Sequence, residues 1–155
     1  MAAAFQILGW LKEWFDKEGY RYELKADTNV LKASFNLDSK LKNCNLVFGC
    51  AEDTFSSYAY IPLDADESCR VRVAEYILRA NYGLRYGSFE MDYRDGEIRY
   101  HVQTDCTGLT KLPEHLFRRA IGIPINMFER YGDGLIAVMY DIKSPESAIQ
   151  DAEKE

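Results

Sequence analysis

Apolar residues change their period several times along the chain, and each change marks an element. Over residues 3–18, Ala4, Leu8, Leu11 and Phe15 recur at helical spacing, and Ile7 and Trp14 widen the stripe. Gly19 supplies a helix stop. The period then falls to two. The stretch RYEL, residues 21–24, reads as a short strand, and NVLKASFNLD sets Leu31, Ala33, Phe35 and Leu37 against Lys32, Ser34, Asn36 and Asp38. NCNLVFGC and TFSSYAYIP follow as strands around the turn AED, completing an antiparallel meander.

The second helical stretch lies within residues 63–83. Asp64 or Asp66 is its expected cap, with Glu67 forming a capping box in the first case, and Gly83 is its stop. Val73, Ile77 and Ala80, with Ala74 and Leu78, form the expected buried face. Next comes YGSFEMDYRDGEIRYHV, two alternating runs around Asp95-Gly96, a pair that favours a two-residue hairpin loop. Folding about that loop sets Tyr93, Met91 and Phe89 opposite Ile98, Tyr100 and Val102. The other face then carries Arg94–Glu97, Asp92–Arg99 and Glu90–His101, charges that keep it in water. A final helical stretch begins near Pro113. Pro124 is expected to kink or split it, and Gly132-Asp133-Gly134 forms a second weak point. The pattern predicts an α+β fold, a single antiparallel sheet of five to six strands packed against helices in the order α-β-β-β-α-β-β-α. It forms one domain over residues 1–143, followed by an acidic tail, 144–155, frayed at its end.

Composition narrows the function more than the fold. The 155 residues suffice for one ordinary core, and a net charge of −6 argues against a nucleic-acid partner. The apolar N-terminal stretch lacks a basic leader and is interrupted by Lys12, Glu13 and Asp16, and no run is long enough to span a bilayer. The expected location is the cytoplasm, with no membrane partner, where four cysteines read as reduced thiols.

No arrangement of residues points to catalysis, and no cofactor or metal is expected. His101 and His115 lack a local nucleophile or ligand partner. Cys44 and Cys50 share parity with Leu46 and Phe48, which suits core packing. Cys69 lies near a helix start, where the dipole can lower a thiol pKa, but has no Cys-x-x-Cys partner. DADE, residues 64–67, suits helix capping, and YGDG, residues 131–134, lacks the elements of a phosphate loop. Four aromatics stand out instead. Trp10 and Trp14 share one side of the first helix, and Tyr58 and Tyr60 share one face of a strand, opposite Ala59 and Ile61. All four are candidate partner-binding residues, because Trp and Tyr are favoured interface anchors.

The stretch from Val73 to Val102, with its helix ending in Asn81, its Gly87-Ser88-Phe89 strand start and its Asp95-Gly96-Glu97-Ile98 hairpin followed by Tyr100, resembles the central signature of YbjN-like bacterial proteins. The closing RYGDGLIAVMYDIKSPESAI, with Ser144 to Glu146, resembles that family's last segment. Such proteins are described as sensory transduction regulators and are similar in fold to type III secretion chaperones, which are usually dimeric and bind an extended segment of another protein. The resemblance implies a non-enzymatic cytosolic regulator or chaperone-like protein, homodimeric, holding a segment of a partner protein. A second reading is a thiol-based redox or metal-responsive protein using Cys44, Cys50, Cys69 or Cys106. A third is a small-molecule enzyme whose site the sequence does not display, a reading that an apolar pocket lined by a buried carboxylate of raised pKa would support.

Overall fold

The computed structural model describes residues 1–154, which form one antiparallel sheet with helices on one face. The elements run α1 (Ala4–Glu18), β1 (Glu23–Leu24), β2 (Val30–Asn36), β3 (Asn43–Ala51), β4 (Thr54–Tyr60), α2 (Arg70–Asn81), β5 (Ser88–Met91), β6 (Ile98–Asp105), α3 (Glu114–Met139) and α4 (Pro145–Ala152). The sheet order is β1-β2-β3-β4-β6-β5, so the late hairpin joins the early meander through β4 and β6. Alternation assigns the faces. Leu31, Ala33, Cys44, Leu46, Phe48, Phe55, Ala59, Tyr100 and Val102 are buried beneath the helices.

Two aromatic clusters hold the helix layer down. Phe15 of α1 meets Phe48 of the sheet and Phe117 of α3, each edge-to-face at 5.5 Å. About three turns along α3, Phe128 and Tyr131 close on Phe89 at 5.4 and 5.6 Å. Because α3 serves both clusters, it runs unbroken through Pro124 and the Gly132–Gly134 stretch, contrary to the expected split. Pro124 removes one backbone donor, but it is buried and packing on either side keeps the helix continuous. The two glycines mark close approaches. A Cβ on Gly132 would lie 2.7 Å from Leu41 Cδ1, and one on Gly134 would collide with the Tyr76 hydroxyl. That hydroxyl donates to the Tyr131 carbonyl at 2.7 Å, tying α2 to α3.

Three further expectations need correction. The hairpin register is displaced by two residues, with Met91 opposite Ile98, Glu90 opposite Arg99, Phe89 opposite Tyr100 and Ser88 opposite His101. A type I′ loop needs positive φ at both Asp95 and Gly96, and only Gly96 has it, at 79°. A four-residue loop forms instead, with Gly96 N–H donating to the Asp92 carbonyl and Asp92 N–H to Glu97. Since the displacement is even, each strand residue keeps its face, but Tyr93 leaves the apolar side for the loop and is exposed. Secondly, α2 begins at Arg70, so neither Asp64 nor Asp66 caps it. Asp66 accepts from the backbone and hydroxyl of Ser68, closing a turn one step earlier. Tyr76 completes the buried face of α2, whereas Leu78 points outward. Thirdly, most of the expected tail is α4, capped by Ser144 and packed through the buried Pro145 and Ala148. Its last residue, Glu155, lies outside the described residues.

The segment before α2 is held by the hairpin loop, through Ala65 N–H donating to the Gly96 carbonyl at 2.8 Å. A Cβ on Gly96 would run into the Ala65 carbonyl. Gly96→Ala should therefore destabilise the fold by about 2 kcal/mol or more, measured by urea unfolding. Gly108→Ala, at a φ of 76° but in open space, should cost only about 1 kcal/mol.

Candidate functional site

Among the described residues no layer covers the face of the sheet away from the helices, and cross-strand register organises that face into rows. One row reads Lys32, Val47, Tyr58, His101 and Ser88; the next reads Ser34, Asn45, Tyr60, Arg99 and Glu90. Tyr58 and Tyr60 sit at the centre, half-buried, with ring centroids 6.4 Å apart. Ala59 and Ile61, on the opposite parity, are buried in the core. Tyr58 is supported from the side by its neighbours: the His101 ring stacks on it at 4.4 Å and the Arg99 guanidinium lies 4.2 Å from its centroid.

Arg99 organises the polar part of this face. Its Nε donates to Glu90 Oε1 at 2.7 Å and its Nη1 to the Tyr60 hydroxyl at 3.2 Å. Burial opposes its charge, yet the bonds to Tyr60 and Glu90 outweigh burial and raise its pKa. His101 Nδ1 is 3.7 Å from Glu90 Oε2, while its Nε2 is buried with no hydrogen-bond partner among the described residues. His115 is exposed at the start of α3.

Beside Tyr60 the face deepens into a trough of about 920 Å³. Its floor includes Lys32, Asn45, Val47 and Tyr60, and the chain from Tyr20 to Glu23 walls one side. The wall is anchored: Tyr22 donates to Asp16 at 2.9 Å, and the Tyr20 ring meets Phe35 edge-to-face at 5.5 Å.

The two sheet edges differ. At β5, the Asn81 side chain donates to the Phe89 carbonyl and accepts from the Phe89 N–H, at 2.9 and 2.8 Å. A side-chain amide thus occupies the outward backbone groups of Phe89 and blocks that edge there. At the other edge β1 pairs only with Leu31 and Lys32. The Val30 carbonyl accepts from Lys25, so residues of its parity direct their backbone groups outward. Ser34 and Asn36 continue that parity, and among the described residues no strand pairs with them, although the chain from Tyr20 to Tyr22 passes alongside.

Trp10 and Trp14 are not part of this arrangement. Trp14 is half-buried at the seam of α1 and α3, its Nε1 donating to the Leu112 carbonyl at 2.7 Å and its ring stacked on Phe117 at 5.5 Å. Trp10 lines a separate shallow notch with Trp14, Lys17 and Lys111. The sequence reading missed Arg99, Val47 and the Asn81 clamp. Strand parity was the available signal for the first two, but setting Arg99 beside Tyr60 also requires the β4–β6 pairing, which joins strands distant in sequence. Asn81 carried no local signal, because its partner, Phe89, lies across a turn.

The cysteines are scattered beneath the other face. Burial pushes Cys44 and Cys50 up to about 12 and Cys106 up to about 11, and it raises Cys69 as well despite its position at the start of α2. Among the described residues, no group of three or more His, Cys, Asp or Glu side chains could hold a metal ion. Maleimide labelling of the folded protein at neutral pH should therefore be slow throughout, with half-buried Cys50 reacting before Cys44, Cys69 and Cys106; rapid labelling of any of them would restore a thiol-based site.

Comparison with known proteins adds the fold and little beyond it. No protein-family model matches the chain, and no curated protein matches it. Among the described residues, no helix is long and apolar enough to cross a membrane. A solved structure does align: YbjN from E. coli, described as a proposed transcription regulator, with a TM-score of 0.60 at 10% sequence identity, over 86% of this chain and 92% of that one. The element order and the half-covered sheet of this chain are therefore those of a YbjN-like fold.

Proposed function

We propose that this chain is a non-catalytic regulator that holds an extended segment of a partner protein, with the segment entering as a strand beside β2 and lying over the trough. One observation carries the reading: the unpaired stretch of β2, from Ala33 to Asn36, opens directly onto a half-buried aromatic face. Backbone bonds from Ser34 and Asn36 supply affinity that does not depend on sequence, and the patch of Val47, Tyr58 and Tyr60 selects alternate apolar side chains. The clamp at Asn81 supports the same direction of entry, because it leaves the β2 side as the accessible edge. The YbjN-like fold is compatible with a regulatory role, and the raised thiol pKa values weigh against the thiol-based reading.

The test separates edge from fold. Ser34→Pro removes an outward N–H that makes no bond to β1, so far-UV circular dichroism and the urea midpoint should stay close to wild type. Mild cross-linking of tagged protein in its native lysate should recover a recurrent protein with the wild type. Recovery should fall about tenfold or more with Ser34→Pro, given the loss of main-chain bonds. Equal recovery by both proteins would refute strand addition at β2.

A further inference from the structure

The chain has two tryptophans, and both line one notch at the seam of α1 and α3 that shares no residue with the trough on the sheet. Trp10, Glu13, Trp14 and Lys17 reach it from one side of α1 at the spacing i, i+3, i+4, i+7, and Lys111 and Leu112 meet them from the loop before α3. Trp14 is fixed there by the Leu112 carbonyl and the Phe117 ring. Trp10 is half-buried, and among the described residues its indole N–H has no hydrogen-bond partner. The charges at the notch are unspent as well. Glu13 and Lys17 have the i,i+4 order that ordinarily forms an ion pair, as Glu114 and Arg118 do at 2.8 Å. Lys17 instead holds its ammonium 4.7 Å from the centre of the Trp14 ring. Among the described residues, Glu13, Lys17 and Lys111 enter no ion pair, although Lys143 and Lys154 both reach Asp151.

We propose that this notch binds an acidic segment of a partner protein, seating one large apolar side chain on the indoles and the neighbouring carboxylate against Lys17 and Lys111. Size sets the first half. At about 210 Å³ the notch falls below the roughly 300–1,000 Å³ of pockets that enclose small molecules, and it accommodates a single side chain. Charge sets the second. Two lysines against Glu13 leave one positive charge unbalanced, which one carboxylate neutralises; a dianion such as phosphate would be opposed by Glu13. Selectivity follows from the rest of the surface, since a chain of net charge −6 repels acidic segments elsewhere. The indoles supply rigid contact area at little entropic cost, Trp14 most of all because its ring is already held. The notch shares no residue with the β2 edge, so the proposal stands independently of strand addition there.

Tryptophan fluorescence of the purified full chain reads the notch directly, because no other indole contributes. The probe is acetyl-Gly-Phe-Glu-Gly-amide, with analogues that carry Gln or Lys in place of Glu. The Glu peptide should shift the emission saturably at roughly millimolar concentration, and less strongly at high salt. The Gln peptide should bind about fivefold more weakly. Lys111→Glu, at an exposed position, should weaken binding of the Glu peptide about tenfold with unchanged circular dichroism, and Lys17→Glu with Lys111→Glu should make the Lys peptide the tighter ligand. Inorganic phosphate at the same concentration should leave the emission unchanged. An absent or unsaturable shift, equal binding of the Glu and Gln peptides, or a phosphate response matching the peptide's would each overturn the proposal. An emission that changes when the protein alone is diluted would place a second copy in the notch and overturn it too. So would a double reversal that keeps its preference for Glu; if that variant fails to fold, Lys111→Glu and the Gln peptide decide alone.

Discussion

The sheet is covered on one face only, and the period-two alternation of its strands turns that constraint into two distinct surfaces. Leu31, Leu46, Phe48, Phe55 and Tyr100 are driven beneath the helices, and the residues between them must be content without a covering layer. Tyr58 and Tyr60 manage this by packing sideways, against Arg99, His101 and each other. Lateral contacts of this sort contribute about 0.5–1 kcal/mol apiece at exposed positions, enough to order the rings and leave one side of them available.

The helix layer meets a second demand, which is to span the width of the sheet. α3 does so in one piece because its two ends are committed to different aromatic clusters, Phe15–Phe117 and Phe89–Phe128–Tyr131. Its other contacts need close approach: Gly132 admits Leu41, Gly134 admits Tyr76, and the carboxylates of Glu129 and Asp133 receive the backbone N–H groups of Asp38 and Lys40. The loop between β2 and β3 is thereby fixed from the helix side, which holds the end of β2 near its unpaired edge. With α4 packed over α2 and α3, the ridge of α2 that remains uncovered is the one bearing Val71, Leu78 and Tyr82.

Most of the architecture was legible because periodicity reports on burial, and burial builds this fold. The strands of the meander and the first helix appear where their patterns place them, with Ile7 rather than Leu8 deepest in α1. Features decided by contacts distant in sequence were not legible. The length of the hairpin loop depends on Gly96 docking against Ala65; the persistence of α3 through Pro124 depends on packing at both its ends; the order of the tail depends on a groove that exists only once α2 and α3 have met. At the candidate site, Tyr58 and Tyr60 could be read from strand parity. The unpaired stretch of β2 and the closure of β5 by Asn81 could not, since each requires knowing where β1 stops and which backbone groups α2 reaches.

The claim on which the functional reading rests is that one sheet edge is blocked at Phe89 and the other is open to a strand. Residue-resolved amide hydrogen exchange tests it most directly, first on the protein alone and then with a partner fragment recovered by cross-linking. Exchange at Phe89 should be slow in both states, since Asn81 holds its N–H, whereas Ser34 and Asn36 should exchange rapidly alone and become protected in the complex. A bound fragment that leaves Ser34 and Asn36 exchanging at their free rates would contradict strand addition at β2.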